Sequence, residues 1–77
     1  MAQTIAEEMQ RLRRLTSNGE ARRIRLAAGL SQAEVARSVA ADPSTIGRWE
    51  SGSRVPRGAA AIAYARLLAR LDKALAA

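Results

Sequence analysis

The stretch Leu30 to Gly52, LSQAEVARSVAADPSTIGRWESG, reads as two short helices joined by a tight turn. Ser31 is placed to cap the first, and Glu34 three residues on can return the bond, a capping box. Val35, Ala36 and Val39 then share one face at helical spacing. Ala40, Ala41 and Asp42 break the pattern. Asp42 can cap the second helix, and Pro43 suits its first position, where a missing N–H costs nothing. Ile46, Trp49 and Glu50 form an inner face of that helix. Ser44, Gly47, Arg48 and Ser51 form an outer one at i, i+3, i+4 and i+7. Gly52 stops the helix.

Upstream, Thr4 and Glu7 have capping-box spacing, and Ile5, Met9, Leu12 and Leu15 recur near one face. This predicts a helix over residues 1–16, with Arg11, Arg13 and Arg14 on its other sides. The plain reading is a packing helix with a solvated basic face; a membrane-surface role fits poorly with Glu7 and Glu8 in its first half, and a further use open to these arginines is to graze phosphates. Residues 16–19, Thr-Ser-Asn-Gly, are a break. Ser17 and Glu20 repeat the capping-box spacing, so a second helix is expected from about Asn18 to Ala28, with Ala21, Ile24, Arg25 and Ala28 on one face and Gly29 just beyond its end. An inward Arg25 needs a partner, and Glu50 is the candidate. Residues 53–56 form a loop, because Pro56 disfavours helix before it. The last helix covers residues 57–75. Ile62, Ala65 and Leu68 are assigned to the body of the domain, and Leu67, Leu71 and Leu75 to a second side. Arg66, Arg70 and Lys73 make a solvated stripe. Nothing alternates with a strand period, so the fold class is all-α: one compact five-helix domain over residues 1–77, with its helix-turn-helix at 30–52.

A chain of 77 residues holds one small core. With no Cys and no His, disulfides and the usual zinc sites are excluded, and no metal or other cofactor is expected. No glycine-rich phosphate loop is present, Glu7 and Glu8 diverge on a helix, and no Ser or Thr has a recognisable base, so enzymatic activity is not expected. The longest apolar run, Ala59 to Ala65, is far short of the roughly 20 residues of a membrane span, and the N-terminus does not read as a signal peptide. A cytoplasmic, nucleoid-associated location follows, with no membrane partner and no small-molecule ligand. The net charge is +6, and every cation except Lys73 is Arg. A GC-rich genome accounts for part of that excess, but the sign still favours an anionic partner. A short polar outer face bearing an arginine, as on the helix after Asp42, suits the major groove of double-stranded DNA. Arg54 and Arg57, flanking Pro56, are placed for phosphates. With Tyr64 the only aromatic besides Trp49, single-strand stacking is disfavoured, and Trp49 is assigned to the core.

Gly29-Leu-Ser-Gln32, Glu34-Val-Ala36, Ser44 to Gly52 and the Arg54-x-Pro56 pair resemble the phage repressor and Cro type of helix-turn-helix, the XRE family. The resemblance runs from about Ala21 through the last helix. It implies a lambda-repressor-like fold to which the N-terminal helix is an addition. By position it implies that Gln32 bonds a phosphate and braces the second helix. Pro43, Ser44, Gly47 and Arg48 would face base edges, and Thr45 the sugar-phosphate backbone. Ala36 would sit where the two helices cross, Arg25 and Glu50 would form a structural ion pair, and the loop after Gly52 would dock on phosphates. Two departures stand out. Ala40 holds a turn position usually given to Gly, and Pro43 and Gly47 have little reach. The function this implies is a sequence-specific transcriptional regulator, a small Cro-type repressor binding as a homodimer through the second side of its last helix; the opposing reading is that the N-terminal helix lies over that side and closes a monomer. An autorepressing antitoxin, with the N-terminal helix as its toxin surface, is one alternative. A protein-interaction module that keeps the fold without DNA is another.

Overall fold

The computed structural model describes residues 4–77; the part of the expected first helix at residues 1–3 lies outside them. Helix α1 spans Ile5–Ser17 and begins on a complete capping box: Glu7 N–H donates to the Thr4 hydroxyl at 3.1 Å, and Thr4 N–H to the Glu7 carboxylate at 2.9 Å. Helix α2 spans Glu20–Ala27, α3 Gln32–Val39, α4 Pro43–Ser51 and α5 Gly58–Ala76. Among the described residues there is no strand. Ser31 and Glu34 close a second capping box at the start of α3.

Two expected caps are replaced. Ser17 does not cap α2; its hydroxyl donates back to the Arg14 carbonyl at 3.0 Å. Asn18 serves instead, its side-chain oxygen accepting the Glu20 N–H at 2.9 Å, because Gly19 turns left-handed at φ +82° between them. Glu20 is therefore free to pair with Arg23, at 2.6 Å. Asp42 stands at the N-cap of α4, but its side chain accepts no capping bond; its carbonyl takes the Thr45 N–H at 3.0 Å. The turn into α4 runs through Ala40 at φ 58°, ψ 46°, a left-handed conformation that costs an L-residue about 1–2 kcal/mol.

Helix α5 is the spine: α1, α2 and α3 all pack on it, and α3 packs closely on α4. The core is Leu12, Leu15, Ala21, Ile24, Val35, Ala36, Val39, Ile46, Trp49, Ala61, Tyr64, Ala65 and Leu68. The inward stripe of α5 thus starts at Ala61, not Ile62, which is half-buried. Ala61, Tyr64, Ala65 and Leu68 follow i, i+3, i+4, i+7, and the Tyr64 ring is fully buried. Its centroid lies 5.2 Å from that of Trp49.

The second side of α5, assigned above to a partner copy, is already occupied within the chain. Helix α1 lies along α5, and Met9, Leu67 and Leu71 are partly buried against the core. Ion pairs edge this contact. Arg66 Nε donates to Glu8 at 2.9 Å, and Arg11 reaches Asp72 at 3.5 Å. Arg66 is therefore engaged and does not belong to a freely solvated stripe. Leu75, 43% exposed, is what remains of the expected interface. No described helix is long and apolar enough to cross a membrane.

Candidate nucleic-acid interface

The outer face of α4 is built by what its inner face buries. Ile46, Trp49 and Glu50 point inward, which leaves Pro43, Ser44, Arg48 and Ser51 exposed and Thr45 and Gly47 half-buried. Arg48 is the only long side chain in this row, and among the described residues it makes no ion pair. Ser51, assigned to the same row, turns away from it: its hydroxyl donates to the Arg48 carbonyl at 3.2 Å. Ser and Thr near a helix end commonly do this, because the last carbonyls lack helical donors.

Beneath that face a polar network sets the orientation of α4. Glu50 accepts from Arg25 Nε at 2.5 Å and Arg25 Nη2 at 3.0 Å, a two-pronged pair. The two side chains are 7% and 3% exposed. Arg25 also donates from Nη1 to the Leu30 carbonyl at 2.8 Å, which ties it to the turn after α2. The carboxylate beside it raises the Arg25 guanidinium above its ordinary pKa, against the opposing effect of burial. Glu50 further accepts the Gln32 side-chain amide at 3.1 Å. Thus α2, α3 and α4 meet on one carboxylate. Gln32 lies across Gly47: a Cβ there would sit 3.4 Å from its amide nitrogen. That is ordinary van der Waals contact, so the brace lies against Gly47 without requiring a glycine there. Tyr64 lies under the network with its hydroxyl buried and without a partner. Burial, and then the nearby Glu50 charge, raise its pKa, so the ring is a neutral wall.

The loop after α4 returns to the helix. Three donors converge on the Arg48 carbonyl: the Ser51 hydroxyl, the Ser53 hydroxyl at 3.3 Å and the Arg54 N–H at 3.3 Å. Gly52, at φ +77°, makes the left-handed step that lets the chain turn back. This places Arg54 and Arg57, both exposed, along an open groove with Thr45, Trp49, Ser53 and Val55. Arg57 stands at the N-cap of α5 in extended backbone, and no side chain caps the first N–H groups of that helix. A positive helix end beside two arginines is a favourable setting for phosphate. Ser53 was not singled out from the sequence; the signal available was its place just past a Gly stop, within reach of the unpaired carbonyls of α4.

The arrangement offers one arginine in a helix face of hydroxyls, framed by a pinned basic loop, over a braced interior. A family model described as a helix-turn-helix domain matches residues 19–77. Nothing matches among curated proteins or among solved structures.

Proposed function

The chain belongs to the helix-turn-helix domain family, and from that premise we propose that it is a sequence-specific regulator of transcription, a small repressor of Cro type that reads double-stranded DNA with α4. The observation that carries this reading is the outer face with Ser44 and Arg48 exposed, fixed by the Arg48 carbonyl to the loop that bears Arg54 and Arg57. An α-helix is about 10–12 Å across with its side chains, which fits the major groove, roughly 12 Å wide. In this reading Arg48 bonds a guanine edge through its two-pronged donor set, and Ser44 assists. Pro43 and Gly47 offer shape only. Thr45 meets the sugar-phosphate backbone, Arg54 and Arg57 take phosphates, and Gln32 braces α4 while reaching a phosphate at its rim. The protein acts by binding, without catalysis or cofactor, in the cytoplasm. One long reading side chain specifies few base pairs, so two copies bind a two-fold site with half-sites about 34–36 Å apart.

Selection of binding sites from a random duplex library, followed by salt titration and sedimentation of the complex, tests this. The expected result is a palindromic consensus with two chains per duplex. Arg48→Ala should lose about 1–3 kcal/mol on the consensus and relax one base per half-site. Neutralising Arg54 or Arg57 should weaken all duplexes alike and lower the salt slope by about one per contact. Duplex binding that selects no consensus and ignores Arg48 would sink the reading.

A further inference from the structure

Helix α1 lies outside the matched residues 19–77, and the α4 face makes no use of its charges. Its arginines divide into two kinds. Arg11 is engaged with Asp72. Arg13 and Arg14 are exposed, and among the described residues neither makes an ion pair. They do not point into empty surroundings. Both line a depression with Ser17, Arg54, Val55 and Pro56, between the end of α1 and the loop that leads into α5. Arg54 and Val55 also line the groove beside α4. The two hollows therefore adjoin at Arg54 and Val55, with Arg57 lining one and Arg13 and Arg14 the other. Arg13, Arg14 and Arg54 share this hollow, and no acidic side chain lines it. The charge of such a cluster is relieved by an anion. A partner that offers anions to arginines of two adjoining hollows at once, rather than to one pocket, is a duplex backbone.

We propose that the C-terminal end of α1 is a second phosphate-binding element, in which Arg13 and Arg14 extend the track of Arg54 and Arg57 onto backbone phosphates farther along the duplex. This rests on the DNA-binding reading above. The added helix then has two roles. Its apolar side closes the α5 face, and its last turns lengthen the DNA footprint without adding base contacts. Arginines at the end of a helix also complement its dipole. That role alone would show in thermal stability and leave DNA binding untouched.

The test is a salt titration of the full chain on a random-sequence duplex, between about 50 and 200 mM salt. Three variants are compared with the parent: Arg13→Gln/Arg14→Gln, Arg13→Lys/Arg14→Lys, and Arg70→Gln/Lys73→Gln. The last removes the same charge about 18–22 Å along α5 from Gly58. The expected result is a log–log slope lower by about two for the Gln pair on α1, close to the parent for the Lys pair, and unchanged for the α5 pair. Phosphate-ethylation interference should lose outer positions only in the α1 Gln pair. The proposal is overturned if the α1 Gln pair keeps the parent slope, or if both Gln pairs lower it equally, which makes net charge the cause. If the parent itself binds no duplex, the DNA-binding reading falls and this proposal with it. An unchanged slope in a chain that does bind sinks the proposal alone. Retained duplex slope with loss of binding to an acidic peptide would assign the cluster to a protein partner instead.

Discussion

Replacing Glu50 by Ala removes the one carboxylate on which three helices meet. Arg25 then keeps only its bond to the Leu30 carbonyl, and its guanidinium stays in a site that is 7% exposed. The Gln32 amide loses its acceptor as well. Solvent screening is weak for a pair this deeply placed, so the figure for breaking a buried pair applies, about 3–5 kcal/mol. At about 0.05–0.15 kcal/mol per residue, a domain of 77 residues has roughly 4–12 kcal/mol in total. The variant should therefore lose between a quarter and all of its stability. With about 4–8 °C per kcal/mol for a domain of this size, the melting temperature falls by roughly 12–40 °C, or the chain is unfolded at the outset. Far-UV circular dichroism against temperature and urea measures this. The control is Arg25→Met/Glu50→Leu, which removes both charges and should lie close to the parent. A Glu50→Ala melting curve that overlays the parent would falsify the argument, as would a double variant that loses as much as the single one. The first result places the pair in water, and the second assigns the loss to packing.

Two further outcomes follow from the backbone and from the caps. Ala40→Gly should stabilise the chain by about 0.5–1 kcal/mol, because relief of the left-handed conformation, about 1–2 kcal/mol, exceeds the added freedom of the unfolded chain, about 0.4–1 kcal/mol; a lowered urea midpoint would contradict this. Glu7 and Glu34 accept the N-cap N–H groups of α1 and α3, which holds both carboxylates below their ordinary pKa. Their folded values thus lie below the unfolded value, so the contribution is present above the unfolded pKa and is lost as pH falls through the folded values. Melting temperature against pH should show a shallower acid decline for Glu7→Gln/Glu34→Gln than for the parent, and equal declines would mean the caps do not carry it.

What the sequence reveals here depends on how local each interaction is. The caps at Thr4 and Ser31 need only a residue and its neighbour three positions on, and the inward side of α4 follows from Ile46 and Trp49 one turn apart. Ser17 and Glu20 have the same spacing as the two real boxes. The difference lies in Gly19, whose left-handed φ moves the start of α2 and passes the capping role to Asn18. On α5 the choice between Ile62 and Ala61 cannot be made by hydrophobicity, which favours Ile62. It is made by the packing of α1, α2 and α3 on α5, which buries Ala61 with Tyr64, Ala65 and Leu68. For the candidate site, periodicity places Ser51 on the outer face but does not say that its hydroxyl turns to its own backbone. The convergence of Ser51, Ser53 and Arg54 on one carbonyl depends on the path of a loop, and loops carry no period. The hollow shared by Arg13 and Arg54 joins residues about forty positions apart in sequence, which no local pattern reports.

These non-local ties bear on how a short helix can present a reading face at all. Nine residues of helix are marginal in isolation, so the direction of α4 must come from tertiary contacts. Ile46 and Trp49 supply burial, but apolar contact is weakly directional and permits some rotation about the helix axis. A rotation of one residue, about 100°, would carry Arg48 off the outer face. Directional bonds oppose that motion. The two-pronged Arg25–Glu50 pair fixes the inner side of the last turn. Gln32 fixes the middle by lying across Gly47, and Ser53 and Arg54 of the loop hold the backbone at Arg48 itself. A pair of hydrophobic residues in place of Arg25 and Glu50 would hold the core as well or better and would give up the angular constraint. On this argument the buried charges serve the orientation of the face more than the stability of the fold. A variant that melts like the parent can therefore still read DNA less selectively.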